Sequence, residues 1–196
     1  MLLADRHIRE AVDAGVIGIY PWEPGNVQPA SVDVRLDRHF KLMRPSNSAI
    51  DPCRDSAEAF DEAEIADGCC LYFAPGDFAL ASTFEHITLP AHVVARVEGR
   101  SSLARLGLVT HATAGFIDPG FTGHVTFELS NVGTRPLLLW PGMRVAQLAF
   151  EVMTCSAERP YGSEGLQSHY QGQRGPTLSR IHERFDHGLP PQEVAA

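Results

Sequence analysis

Between residues 100 and 128 the chain gathers side chains suited to a small phosphorylated ligand. Arg100-Ser101-Ser102-Leu103-Ala104-Arg105 supplies guanidiniums and hydroxyls, Asp118 precedes a Pro119-Gly120 turn, and Thr126-Phe127-Glu128 places a second carboxylate in an alternating segment. Guanidinium forks beside the free N–H groups of a helical start form a phosphate cradle. From His124 to Ser130, alternation sends Val125, Phe127 and Leu129 to one face and His124, Thr126, Glu128 and Ser130 to the other. A carboxyl at the middle of such a strand can take a proton from water and return it to a leaving amine, if partial burial brings its pKa towards the working pH. A solvated strand face gives the same alternation, and an ordinary capped turn ending at Gly107 gives the same Arg-Ser-Ser pattern. Local sequence leaves both alternatives open.

The elements that must position these groups are mostly strands. Asp5 is placed to cap a short N-terminal helix with Ile8, Ala11 and Val12 on one face and Gly15 at its end. Helical periodicity then gives way to short segments rich in Val, Leu, Phe and Thr, separated by the turns Pro24-Gly25, Pro75-Gly76, Pro119-Gly120 and Pro141-Gly142. Ser31–Leu36 alternates with Val32, Val34 and Leu36 on one face, and Val93–Val97 and Leu137–Trp140 read as further strands. The expectation is a mainly β sandwich, jelly roll or distorted barrel. Residues 44–68, acidic and rich in Ser, Ala and Asp, read as a solvated excursion between strands. Residues 1–180 are expected to form one domain and 181–196 a C-terminal tail, loose from Gly188 onwards.

Composition narrows the chemistry. With 196 residues and 44% hydrophobic side chains the chain can bury one core. A formal net charge of −8 excludes a surface that coats nucleic acid, although a few local arginines suffice for a mononucleotide. The longest apolar runs, such as Pro136–Trp140, fall far short of the roughly 20 residues of a membrane helix. No basic stretch with an apolar run opens the chain, so a cytoplasmic protein without membrane contact is expected. Cys53, Cys69, Cys70 and Cys155 have no framework spacing and read as reduced thiols. Pro52-Cys53 begins the zinc-deaminase pattern, but Ser56 stands in place of its second cysteine and no His-x-Glu occurs.

The order Arg-Ser-Ser-Leu-x-Arg (100–105), Gly115-Phe-Ile-Asp-x-x-Phe-x-Gly123, Thr126-Phe-Glu128 and Arg144-Val-Ala-Gln-Leu148 resembles the dCTP deaminase branch of the dUTPase superfamily. It is most similar to the bifunctional form that takes dCTP to dUMP. The resemblance runs from Met1 to about Arg180. It implies a dUTPase-like distorted jelly roll, assembled as a homotrimer whose sites draw residues from neighbouring subunits. It implies that Glu128 handles protons, that Ser101 and the Ala114 carbonyl orient the water, and that Arg105 supports Glu128 near the base. Asp118 would contact the deoxyribose 3′-hydroxyl and position water for attack on phosphate. Arg100, Ser101, Ser102, Leu103, Ala104, Arg105, Thr126, Phe127, Gln147, Tyr161, His169 and Gln173 would complete the nucleotide contacts. Tyr161 and Ser168–Gly175 match a segment that closes over base and triphosphate, with Gln173 on the cytosine edge; a glycine-rich linker would look alike. His169 stands where the family commonly has lysine.

The resemblance further implies Mg²⁺ carried on the triphosphate rather than on protein ligands, no zinc, and dTTP as an inhibitor. Gly115-Phe116 points to the bifunctional reaction, since monofunctional deaminases carry His-Arg there. A monofunctional enzyme releasing dUTP, a dUTP diphosphatase, and a non-catalytic deoxynucleotide sensor remain the alternatives. Glu128, Ser101 and Arg105 together weigh against the sensor, which needs affinity but no proton shuttle.

Overall fold

Strand-forming residues dominate, and the computed structural model, described here for residues 1–185, arranges them as two antiparallel sheets around one apolar cluster. Part of the expected tail, residues 186–196, lies outside the described residues. The strands are β1 (Gly18–Tyr20), β2 (Val27–Gln28), β3 (Ser31–Arg35), β4 (His39–Met43), β5 (Phe60–Glu64), β6 (Leu71–Phe73), β7 (Phe78–Thr88), β8 (Val93–Gly99), β9 (Leu108–Val109), β10 (Phe116–Ile117), β11 (Thr122–Asn131), β12 (Leu137–Leu139) and β13 (Arg144–Val152). One sheet runs β5-β4-β7-β11-β9, with β1 also on β7; the second runs β10-β8-β13-β3-β2; β12 and β6 pair apart from both. This is the expected mainly β, distorted jelly-roll architecture.

The core lies between the sheets. Phe40, Ala79, Ala81, Phe127 and Leu129 come from the first, and Val32, Val34, Ala95, Val97, Leu148 and Phe150 from the second. The sheets are also joined by charge: Glu85 on β7, 2% exposed, accepts hydrogen bonds from the Arg35 backbone N–H at 2.9 Å and from Arg35 Nε at 2.6 Å.

Three sequence expectations need correction. Helix α1 (Asp5–Asp13) buries Ile8 as its periodicity requires, but its N-cap is Ala4, and Asp5 lies in the first turn, accepting from Arg9 Nη1 at 3.1 Å. Gly15, at φ +70°, follows the helix end. On β3 both faces are covered, because Ser31 and Asp33 are buried beside Val32 and Val34. Within the acidic excursion, Phe60–Glu64 forms an edge strand on β4, held by ion pairs of Lys41 with Glu62 and Arg44 with Asp61. Charged side chains suit an edge strand, and they conceal its alternation in the sequence.

Candidate active site

Strand β11 carries out the alternation its sequence encodes: Val125, Phe127 and Leu129 are buried, while Thr126 and Glu128 face a cleft. Its register against β7 sets Thr126 opposite Ser82 and Glu128 opposite Leu80, and it slips between His124 and Thr126. At that irregularity Val125 N–H donates to Thr83 Oγ1 at 2.9 Å, so the displaced backbone group keeps a partner.

The Glu128 carboxyl is half-buried, and burial pushes it above the ordinary carboxylate value despite the opposing effects of the Ala112 N–H and His111. The Ala112 N–H donates to Glu128 Oε2 at 3.3 Å. Beside it, Gly115 serves close packing, because a Cβ there would lie 2.9 Å from both His111 Cε1 and the Val97 carbonyl oxygen. The Gly115-Phe116 pair is therefore linked to the surroundings of Glu128 through the His111 ring.

The cleft has a volume of about 670 Å³. It brings together Ala114, Phe116, Asp118, Thr126, Glu128, Tyr161, His169 and Gln173 from the expected set. Asp118 is exposed at the end of β10, ahead of the Pro119-Gly120 turn. The C-terminal segment closes one side by pairing along β11. His124 N–H donates to the Gln173 carbonyl at 3.0 Å, Gln173 Nε2 donates to the His124 carbonyl at 2.6 Å, and Gly172 N–H donates to the Thr122 carbonyl at 2.8 Å. That amide contact fixes Gln173 with Oε1 as the remaining group, buried and without a partner among the described residues. Tyr161 Oη accepts from the Tyr170 N–H at 2.9 Å, and burial holds its phenol above the ordinary value.

The remaining expected residues lie elsewhere on the chain. Arg100 precedes the short helix α2 (Ser101–Ala104), where none of the side chains caps the N-terminus. Arg100 Nη1 donates to the Arg144 carbonyl at 3.2 Å, and its Nη2 lies 3.3 Å from Asp33 Oδ2. Ser101, Ser102, Ala104 and Arg105 are exposed, with Leu103 packed partly against the core. Gln147 on β13 accepts from Ser31 Oγ at 2.8 Å and donates to the Gly99 carbonyl at 3.4 Å. None of these borders the cleft that contains Glu128.

Two groups of lining residues were not anticipated. Ile50 and Phe60 from the acidic excursion, with Met43 at the end of β4, bring an apolar wall, and isolated hydrophobics among charges gave no periodic signal there. Arg184 reaches the cleft from a 3₁₀ turn, Ile181–Arg184, beyond the last recognisable motif.

Comparison with known proteins identifies the family. A family described as dCTP deaminase-like matches residues 2–153. A protein of Corynebacterium efficiens named "dCTP deaminase, dUMP-forming" is 54% identical over 186 residues, covering 94% of this chain and 96% of that protein. One of the same name from Beutenbergia cavernae is 55% identical over 186 residues, covering 94% and 97%. The crystal structure of 2'-deoxycytidine 5'-triphosphate deaminase from Agrobacterium tumefaciens superposes with a TM-score of 0.62 at 27% identity and covers 77% of this chain. This chain spans 48% of the length of that one. Motif order, strand arrangement and near full-length similarity converge: the chain belongs to the dCTP deaminase-like family.

Proposed function

We propose that the protein hydrolyses dCTP to dUMP, ammonia and diphosphate. The observation that carries this reading is Glu128, a half-buried carboxyl raised by burial and set in the wall of a cleft shared with Asp118 and Gln173. The name "dCTP deaminase, dUMP-forming" borne by its relatives supports the same outcome.

Two waters are consumed. Glu128 takes a proton from the first as its oxygen bonds to cytosine C4, then delivers that proton to N3. The second proton of that water moves to the departing nitrogen as the C4–N bond breaks and ammonia leaves. One carboxyl performs both transfers in sequence, and its raised pKa brings it nearer the working range. Ser101 and the Ala114 carbonyl orient this water, and Arg105 supports Glu128. Gln173 Oε1, left without a partner, is suited to accept a hydrogen bond from the base edge. Thr126 and Phe127 carry the strand past the nucleotide, Tyr161 closes over it, and Asp118 holds the sugar and directs the second water to the α-phosphate. Gly115-Phe116 favours completion of both hydrolyses at one site.

Among the described residues no group of three or more His, Cys, Asp or Glu is placed to hold a metal ion. Mg²⁺ belongs in this proposal to the triphosphate, whose charge it neutralises. No zinc takes part. dTTP, with the same sugar and triphosphate, is proposed as an inhibitor at the same site.

Because Arg100, Ser101, Ser102, Leu103, Ala104, Arg105 and Gln147 do not border the Glu128 cleft of their own protomer, the site is proposed to be completed by a neighbouring subunit in a homotrimer. Leu106 and Val132, beside that turn, are 61% and 70% exposed and suit a subunit contact. Four free cysteines accord with a reducing, cytoplasmic setting. No helix among the described residues is long and apolar enough to cross a membrane. Separating the nucleotides formed from dCTP and Mg²⁺ by purified protein tests the proposal: dUMP is expected, whereas unchanged dCTP rejects it.

A further inference from the structure

We infer that Arg184 supplies the cation that receives the triphosphate in this cleft and that His169 is its positioning residue, an assignment that rests on the proposed dCTP reaction. Among the described residues that line the Glu128 cleft, Arg184 is the only lysine or arginine. It also borders the adjoining hollow lined by Asp118, Pro119, Arg159 and Tyr161, so it stands where the two spaces meet. A triphosphate needs a permanent charge there, and Arg binds phosphate through a planar fork of donors.

His169, at the position where lysine is common in the family, is not that charge. Its Nδ1 lies 2.9 Å from Glu183 Oε2, and Arg184 Nε lies 3.2 Å from its Nε2. A guanidinium can only donate, so Nε2 must present its lone pair and the single ring proton must sit on Nδ1, donated to Glu183. Both ring nitrogens are thereby engaged, which leaves neither free to meet a phosphate oxygen. The ring is held in place because Arg180 Nη1 donates to the His169 carbonyl at 2.7 Å, tying the 3₁₀ turn back to the segment that pairs with β11. Arg184 Nη1 and Nη2 have no hydrogen-bond partner among the described residues, which leaves the phosphate-binding end of the fork available.

The test compares equilibrium binding of dCTP and dCMP with steady-state kinetics on dCTP, in the unaltered protein, Arg184→Gln, His169→Ala, and two double variants, His169→Ala/Arg184→Gln and His169→Lys/Arg184→Gln. Arg184→Gln should weaken dCTP binding and raise KM about 10-fold or more, as for a lost charged hydrogen bond. It should leave dCMP binding and kcat within about 3-fold. His169→Ala should give a smaller loss with the same triphosphate selectivity and should add little to Arg184→Gln, because it acts through that residue. A lysine at 169 should restore much of the dCTP affinity lost in Arg184→Gln. Equal losses for dCTP and dCMP, or no loss at all, would overturn the assignment of Arg184. Fully additive losses would overturn the positioning role of His169. Because the binding arm needs no turnover, an unaltered protein that binds dCTP without converting it counts against the proposed reaction and leaves Arg184 to be judged on binding alone.

Discussion

Glu128 combines a functional and an energetic role in one side chain. Burial raises its carboxyl above the ordinary value, so ionising it costs more in the folded protein than in the unfolded chain. Glu128→Gln should therefore lower turnover of dCTP by about 10²-fold or more, yet raise the thermal midpoint at neutral pH. The folded state binds the proton more tightly, so the destabilisation is present above the raised pKa and disappears as pH falls below the ordinary value, where both states are protonated. Paired melting curves at neutral and acidic pH should show the variant's advantage shrinking on acidification. An unchanged difference, or near-normal turnover, would remove Glu128 from this role. At Gly115 the neighbouring groups are the Val97 carbonyl and the His111 ring, and an added methyl must displace one of them. Gly115→Ala should lower kcat for deamination about 10-fold or more through misplacement near Glu128, and a normal kcat would show that this packing has no catalytic consequence.

At the level of elements, the two sheets are coupled through Arg35 on β3 and Glu85 on β7, both largely withdrawn from water. Glu85→Ala leaves a guanidinium partly buried without its main partner, and denaturant unfolding should record a loss of about 3 kcal/mol or more. A loss near zero would mean that water replaces the carboxylate at no cost. The C-terminal segment docks where Gly123, at φ +145°, lets the Gln173 backbone approach to 3.0 Å of a would-be Cβ. Much of this was legible beforehand. The alternation of β11 identified the face that bears Glu128, and the N-terminal helix and the segment from Ser31 followed from periodicity. What escaped was set by tertiary pairing. Strand β5 has only Phe60 and Ala63 as apolar members and is specified by cross-strand charges from β4. Arg184 gains its place from hydrogen bonding to His169, which no local pattern announces. The resemblance supplied the expected membership of the site, while the separation of those residues between two surfaces of the chain required the fold.

Across the whole molecule, one chain presents Glu128, Asp118 and Gln173 in its cleft while carrying Arg100, Ser101, Ser102 and Arg105 away from it. A homotrimer should be seen as three chain masses by light scattering, and mixing Glu128→Gln subunits with Arg105→Ala subunits should restore part of the activity that each lacks alone. A fully active monomer, or mixtures no better than the separate variants, would show that the site is complete within one chain. The product formed from dCTP tests the dUMP-forming reaction most directly. Purified protein incubated with dCTP and Mg²⁺, with isotopically distinct dUTP added as a trap, should yield dUMP that retains the label of the dCTP, with one ammonia and one diphosphate per turnover. Stoichiometric release of dUTP, or dCTP recovered intact, would contradict a dUMP-forming reaction.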